Sequence, residues 1–480
     1  MTWQRLDNPD GRPLNEAVYE YIRNEICRGA VRGRLPSKNR AAEALGVSKV
    51  TVEKAYEQLK AEGYIYSRER SGYFVEPGSA AAWRRAEPPA KQTKRAKRSK
   101  RSESSTAQSD APPPPVYDLN TYAISADSFP FAVWRRLMRR VMTDEGPAII
   151  GNTPPKGILA LRKAIVSYLL TYRRISADPE QIVVGAGSEW IWTLLIQLLG
   201  VQRRYAIENP GYTKVSRILD AHGVAVSRVG VGEEGIDLAE LRKARADVVH
   251  ITPSHHFPLG IIMPIGKRLE LLALAAEQDM VIIEDDYDSE FHFAGRPIPA
   301  LTGLDSHGRV IYLNTFAKSL APSLRISYMV LPPDLLARYE RRLSFYACTV
   351  PGFEQHVMAR FLSEGHFTRH FTRMKATYKA KHDALLEAIA ASRLAPDADI
   401  SGKAVGLHIL LTLKRGISES EMVRRAAKQG VALRGLSAFC TAPCAIPAST
   451  VVMGFASLEL AGIPAAPTRT RMVVMSLSEK

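Results

Sequence analysis

The chain has 480 residues, 46% of them hydrophobic, with 65 Lys and Arg against 49 Asp and Glu, a net charge of +16. That length allows two to four domains and ample core. No run of about 18 apolar residues and no charged-then-apolar leader occurs, so a cytoplasmic protein without a membrane span is expected. The basic excess argues for a polyanionic partner, double-stranded DNA first. Cys27, Cys348, Cys440 and Cys444 form no disulfide framework. Cys440 and Cys444 either face each other across a helical turn, bind metal or, the plainer expectation, stay reduced. No metal is expected, and no repeat of fixed period is found.

Residues 14–29 place Leu14, Val18, Ile22 and Ile26 on one helical face, with Gly29 as the stop. Next comes RLPSKNRAAEALGVSKVTVEKAYEQLKAEGYIYSRERSGYFVE. Ser37 predicts the cap of a short helix to about residue 45, broken by Gly46. Ser48 predicts the cap of a second helix over 49–62, with Val52, Tyr56 and Leu59 inward and Gly63 as its end. Residues 64–67 and 73–76 read as strands around a charged turn, 68–72. This is a helix-turn-helix with a β-wing. The second helix would turn N–H groups, the Ser48 hydroxyl and Lys49 toward phosphate. DNA contacts are expected at Lys38, Asn39, Arg40, Ser48, Lys49, Thr51, Ser71, Gly72 and Tyr73. The LPS turn, S-K-x-T-V, A-Y-x-x-L, E-G-Y and S-G-Y-F-V make the block, residues 13–76, resemble the winged helix of GntR-type transcription regulators. Asn39 and Lys49 stand where that family usually has arginine, and lysine lacks the bidentate fork. The plainer alternative is a helical interaction module with a solvated basic face.

Residues 77–117 have low hydrophobicity and no periodicity. Nine Lys or Arg face three Asp or Glu over 81–110, and four prolines follow at 112–115. A disordered tether is expected, stiffened at its end. Its basic run would add sequence-independent attraction to phosphate.

From 118 to 480 strand and helix signals alternate, an α/β pattern. Residues 181–185 read as a strand and 188–199 as an apolar helix. The turn between them, with Gly187, Ser188 and Glu189, offers N–H groups as a phosphate cradle. Residues 281–283 read as a buried parallel strand. Alternation then sets Asp285 and Tyr287 on one face, Glu284 and Asp286 on the other. A second strand over 310–313 ends before Thr315, Lys318 and Arg325. Ligands sit at strand ends of open parallel sheets, so these groups are expected to converge. Such a set suits pyridoxal phosphate. A lysine forms a Schiff base, a carboxylate pairs with the ring nitrogen, a phenol meets the phenolic oxygen and an arginine clasps the phosphate.

D-x-Y at 285–287 and T-x-x-K-x-x-x-x-x-x-R at 315–325 resemble fold type I aminotransferases of the aspartate aminotransferase superfamily. The resemblance implies a largely parallel sheet plus a small C-terminal α+β part. It gives Lys318 the Schiff base, Asp285 the ring nitrogen, Tyr287 the phenolic oxygen, and Thr315 and Arg325 the phosphate. PPKGILALRKAIVSYL and ENPGYTKV match too, the latter making Tyr212 the ring-stacking residue. Some positions depart. Phe257 precedes Pro258 where many catalytic relatives have Asn-Pro, leaving His255 or His256 either to replace that donor or to pack. Ala317 stands where serine is common. Val452 aligns with the arginine that clamps a substrate carboxylate, with Arg434 or Lys214 as substitutes.

The order winged helix, basic linker, aminotransferase-like domain resembles the MocR subfamily of GntR regulators. It implies a pyridoxal-phosphate-dependent transcription regulator that senses a small amine, an amino acid or the vitamer itself. Sustained turnover is not expected, and a head-to-tail homodimer is. The alternative is a catalytic aminotransferase carrying a DNA-targeting domain.

Overall fold

The computed structural model describes residues 3, 13–62, 64–68, 71–76, 117–121, 128–293, 299–392, 394–414 and 417–458. They belong to two compact units, Met1–Asp110 and Ala111–Lys480. Gly63 and the expected tether, apart from Tyr117, lie outside the described residues.

In the first unit three helices, Leu14–Cys27, Lys38–Leu45 and Lys49–Ala61, precede antiparallel strands Ile65–Arg68 and Gly72–Val75. Ser37 and Ser48 each accept a hydrogen bond from the backbone three residues on, at Arg40 and Thr51. These caps satisfy N–H groups that a helix start leaves without partners. Val18, Ile22 and Ile26 pack with Val52, Tyr56 and Leu59, all fully buried. Leu14 departs from the expected face and is 49% exposed, because it forms the first residue of its helix and the core begins one turn later. The Tyr56 phenol donates to the Pro36 carbonyl at 2.9 Å. Leu35 N–H donates to Tyr73 O, and Val75 N–H to Gly33 O, each at 2.8 Å. The segment before the second helix is thereby laced to the wing.

The second unit is built on an eight-stranded sheet. Its order is Ile182–Ala186, Ile326–Val330, Val310–Thr315, Val281–Asp286, Val248–Ile251, Tyr205–Asn209, Val226–Gly232 and Gly235–Ile236. The five central and right-hand strands from 310 to 232 run parallel, whereas Ile326–Val330 is antiparallel to both neighbours. Helices cover both faces, as apolar strands of this kind require. Ser188–Leu199 buries Leu194, Leu195 and Leu198 against one face, each contributing roughly 2 kcal/mol by transfer from water. Helices Leu159–Arg173 and Gly352–Ser363 belong to the core on the other. A smaller antiparallel sheet, Ala398–Ser401, His408–Leu413, Thr450–Gly454 and Arg434–Gly435, follows the long helix His366–Ala390. Two boundaries differ from expectation. The strand that begins at Val310 runs through Thr315, and the strand expected to end at Gly185 includes Ala186. Ladder pairing with Ile326–Val330 extends both strands at those ends.

Candidate functional site

Strand alternation places the site. Asp285 and Tyr287 face a cavity of about 340 Å³, which Gly187, Ser188, Glu189, Tyr212, Thr315, Lys318 and Arg325 also line. All nine residues named for the cofactor therefore meet in one place. Glu284 and Asp286 point the other way and are buried. The Lys318 amine donates to the Thr121 carbonyl. Burial pulls its pKa down to about 8, partly opposed by Asp288. A buried ammonium is poorly solvated, so a useful fraction of neutral amine exists near neutral pH.

At one end of the cavity the 12-residue helix Ser188–Leu199 starts without a side-chain cap. Its first residues, Ser188 and Glu189, line the cavity, and a helix start suits an anion. Gly187 has φ +88°, and a Cβ there would lie 2.4 Å from an Arg325 guanidinium nitrogen. The positive φ favours glycine here, and a side chain would also push the Arg325 guanidinium away from the turn. Arg325 and Lys214 both hold Glu189, at 2.5 and 2.8 Å. Although burial works against it, hydrogen bonds from Lys214 and Arg325 bring the Glu189 carboxyl down to about 2. A protein carboxylate thus sits where two cations and a helix start would receive a phosphate. Thr315 Oγ1 accepts from Ala317 N at 3.2 Å, which fixes the turn leading to Lys318.

Behind the lining lie His250 and Glu208, which linear reading missed, and His255 and His256, which it left either to replace a donor or to pack. His250 Nε2 lies 3.4 Å from Asp285 Oδ2, and the Trp192 ring packs edge-on to His250. Glu208 accepts from Thr252 N and Oγ1 at 3.0 and 2.8 Å. Burial, opposed by those bonds, pushes its pKa up to about 8. His256 turns toward Glu208, with Nε2 3.6 Å from Oε2, and accepts from Leu259 N. Burial and its histidine neighbours depress its pKa to about 3, so it is a neutral packing group. His255 instead faces the phenol: Nδ1 is 3.0 Å from Tyr287 Oη and 2.7 Å from Asp288 Oδ1. His408, whose Nε2 meets the Pro258 carbonyl at 2.8 Å, lies beside it. His255, Asp288 and His408 each bring a potential donor atom within 4.8 Å of the others. The signal for Asp288 was the acidic run itself; none existed for His408.

The far wall is apolar. Phe257 packs with Leu410, Leu436, Phe439 and Val452, and Tyr212 meets its edge with centroids 6.0 Å apart. Val452 is 1% exposed and does not line the cavity. Arg434, offered as a substitute clamp, pairs with Val452 across the small sheet, and its side chain is exposed and outside the cavity lining. Lys214 does line it. Cys440 and Cys444, expected to be reduced, are joined in a disulfide. The loop between them is held from a distant strand, where Asn209 Oδ1 accepts from Thr441 N and Ala442 N, a contact that no local pattern announces.

In the N-terminal unit Asn39, Arg40, Ser48, Lys49, Ser71 and Gly72 are exposed, and Thr51 and Tyr73 half-buried. The Thr51 hydroxyl is 2.8 Å from the Ser48 hydroxyl. Lys38 is half-buried, ion-paired with Glu53 and poised over the Tyr73 ring. It links the helices Lys38–Leu45 and Lys49–Ala61 and the wing.

Fold and cavity define the class: a fold type I aminotransferase-like unit preceded by a winged helix. The comparisons agree. Residues 115–446 match the family model for aminotransferase class I and II, and residues 14–75 that for bacterial regulatory proteins, gntR family. Over 465 residues the chain is 36% identical to the uncharacterized HTH-type transcriptional regulator YhdI of Bacillus subtilis (strain 168), covering 95% of this chain and 94% of that one. It is 33% identical over 464 residues to the probable rhizopine catabolism regulatory protein MocR of Rhizobium meliloti, covering 95% and 92%. The multiple substrate aminotransferase from Thermococcus profundus has the same fold, with a TM-score of 0.66 at 23% identity over 75% of this chain and 91% of that one. The chain belongs to the gntR family of HTH-type regulators that carry an aminotransferase class I and II domain, the MocR-type arrangement. It is a DNA-binding transcriptional regulator, and the fold family of its larger domain depends on pyridoxal phosphate. No helix among the described residues is long and apolar enough to cross a membrane.

Proposed function

We propose that the cavity holds pyridoxal 5'-phosphate and that a small amine, an amino acid or the vitamer itself, acting there, changes the affinity of the winged helix for its operator without sustained turnover. The carrying observation is the convergence of Lys318, Asp285, Tyr287, Arg325 and the Ser188 helix start on one cavity. The residues fit the group. Its aldehyde and electron-poor ring supply imine chemistry when it is bound. Lys318 presents an amine with lowered pKa. Asp285, steadied by His250, offers its carboxylate to a ring nitrogen, and Tyr212 offers an aromatic face. Gly187, Ser188, Glu189 N–H, Thr315 and Arg325 form the anion end.

Binding without turnover is supported by the cations. Among the described residues lining the cavity they are Lys214, Lys318 and Arg325, and Glu189 holds both Lys214 and Arg325 at the anion end. Among the described residues the Phe257 side is apolar, with Leu410, Leu436, Phe439 and Val452 packed there, and does not orient a substrate carboxylate by charge. Misplacement of a reacting bond by about 1 Å costs on the order of a hundredfold in rate. In this reading residues 13–76 bind duplex DNA through Asn39, Arg40, Ser48, Lys49, Thr51 and the 71–73 wing tip, with Lys38 bracing them. Residues 77–117 tether them to 118–480, and the protein acts in the cytoplasm as a head-to-tail homodimer.

The test pairs DNA-binding titrations with product assays on one effector, using Lys318→Ala as control. DNA affinity that shifts with effector, lost in the variant and without accumulating keto acid, is expected. Multiple turnovers with unchanged DNA affinity would favour a DNA-targeted aminotransferase instead.

A further inference from the structure

We propose that His255 is a positioning residue: held by Asp288, it sets the direction of the Tyr287 hydroxyl so that the phenol hydrogen is donated into the cavity. The inference rests on the cofactor reading above, in which the recipient is the cofactor's phenolic oxygen.

The argument is a count of hydrogens. Asp288 is 1% exposed, and its Oδ2 already accepts from Leu407 N at 3.2 Å. A carboxylate only accepts, so the hydrogen in the 2.7 Å contact between Asp288 Oδ1 and His255 Nδ1 sits on the nitrogen. A nitrogen carrying that hydrogen cannot accept another from Tyr287, 3.0 Å away. The phenol oxygen can then only be a second, weaker acceptor of that same hydrogen. Its own hydrogen must point elsewhere, and Tyr287 faces the cavity. His255 Nε2 is buried without a hydrogen-bond partner, which a bare ring nitrogen tolerates better than an N–H or a charged ring would.

Three further features hold the arrangement. The His255 and Tyr287 rings are stacked, 29° apart in plane. Gly406, at φ +81°, lies so close that a Cβ there would come within 1.8 Å of the His255 ring. Phe257, edge-on to Tyr287 with centroids 6.1 Å apart, supplies no competing donor. The titratable groups around this pair are Asp285 and Asp288 on the Tyr287 segment, Asp286 on the reverse face of that strand, Glu208 and His256 behind, and His408 and Lys318. Burial, then the carboxylates of Asp288, Asp285, Asp286 and Glu208, raise the Tyr287 pKa well above its ordinary value. The phenol keeps its hydrogen. Burial and His255 bring His408 down to about 3, so no cation there competes.

The experiment follows the visible absorbance of protein-bound pyridoxal phosphate against pH, using the full chain. A hydrogen bond to the ionised phenolic oxygen lowers the midpoint. His255→Ala should raise it by about one pH unit, as should Tyr287→Phe, because one hydrogen bond to the charged form is lost. The double variant should add nothing. His255→Asn should restore most of the wild-type midpoint, since its amide N–H stands near the place of Nδ1–H. Asp288→Asn, nearly identical in shape, should raise the midpoint because its amide can donate and reverse the hydrogen-bond direction. An unmoved midpoint in His255→Ala, or an equal shift in the Tyr287→Phe background, would overturn the inference alone. So would stoichiometric zinc whose removal by chelator reproduces the shift, since a ligated Nδ1 carries no hydrogen. Wild-type protein that takes up no cofactor would overturn both this inference and the reading beneath it.

Discussion

The strand Val281–Asp286 and the turn after it carry carboxylates on two faces, and the faces are finished differently. On the back, Glu284 accepts from Leu301 N, Thr302 N and Thr302 Oγ1 within 2.9 Å. Asp286 is ion-paired with buried Arg173 and accepts from Tyr312 and Ser289. On the front, Asp285 has His250 at 3.4 Å and opens on the cavity. The residue types are the same. What separates structure from function is acceptor capacity: the back face is saturated by the protein, and the front face keeps capacity for a ligand. It follows that back-face changes should cost stability, and front-face changes should cost binding.

The largest effect tests the back. Asp286→Ala leaves Arg173 buried without its carboxylate, and breaking such a pair costs about 3–5 kcal/mol. Denaturant unfolding should show that loss. A cost below about 1 kcal/mol would remove the distinction between faces.

Next comes the front. Asp285→Asn should raise the dissociation constant for pyridoxal phosphate about a hundredfold, or about 2.7 kcal/mol, with the unfolding midpoint unchanged. Equilibrium dialysis and thermal melts on one preparation decide it. Equal cofactor loss in Asp286→Asn, at preserved stability, would move the site to the other face.

Lys318 sharpens the contrast, because a front-face group should burden the empty protein. Its folded pKa of about 8 lies below the ordinary 10.5. Between those values the unfolded chain binds more protons, so apoprotein stability should rise with pH across that window and be lost again as pH falls through about 8. Lys318→Met should flatten this slope and stabilise the apoprotein at neutral pH by about 2 kcal/mol. Urea titrations from pH 7 to 10 measure both.

The smallest effect concerns Glu189, the carboxylate inside the anion end. Glu189→Gln frees Arg325 and Lys214 from an ion pair that is half in solvent. Screening limits the gain to about 0.5–1 kcal/mol, a roughly threefold tightening of cofactor binding. Weaker binding in the variant would mean that Glu189 orients Arg325 more than it competes with phosphate.

Local order was legible in the chain because its causes act over two to four residues. Ser37 and Ser48 announce helix starts through their own backbone. Alternation alone separates Asp285 from Asp286, and the spacing of Thr315, Lys318 and Arg325 places three groups at one strand end. Leu14 shows the limit: helical periodicity says which side faces inward, not where the core begins. The partners of the site were settled by tertiary structure. His250 reaches Asp285 because two parallel strands lie side by side. His408 meets the Pro258 carbonyl across 150 residues, and Leu407 meets Asp288 across 119. Asn209, more than 230 residues away, hydrogen-bonds the loop between the bonded Cys440 and Cys444. Val452 becomes core because its strand turns that side chain into the cluster around Phe257. Such contacts leave no local trace, since burial and hydrogen-bond demand are properties of the folded surroundings rather than of the residue.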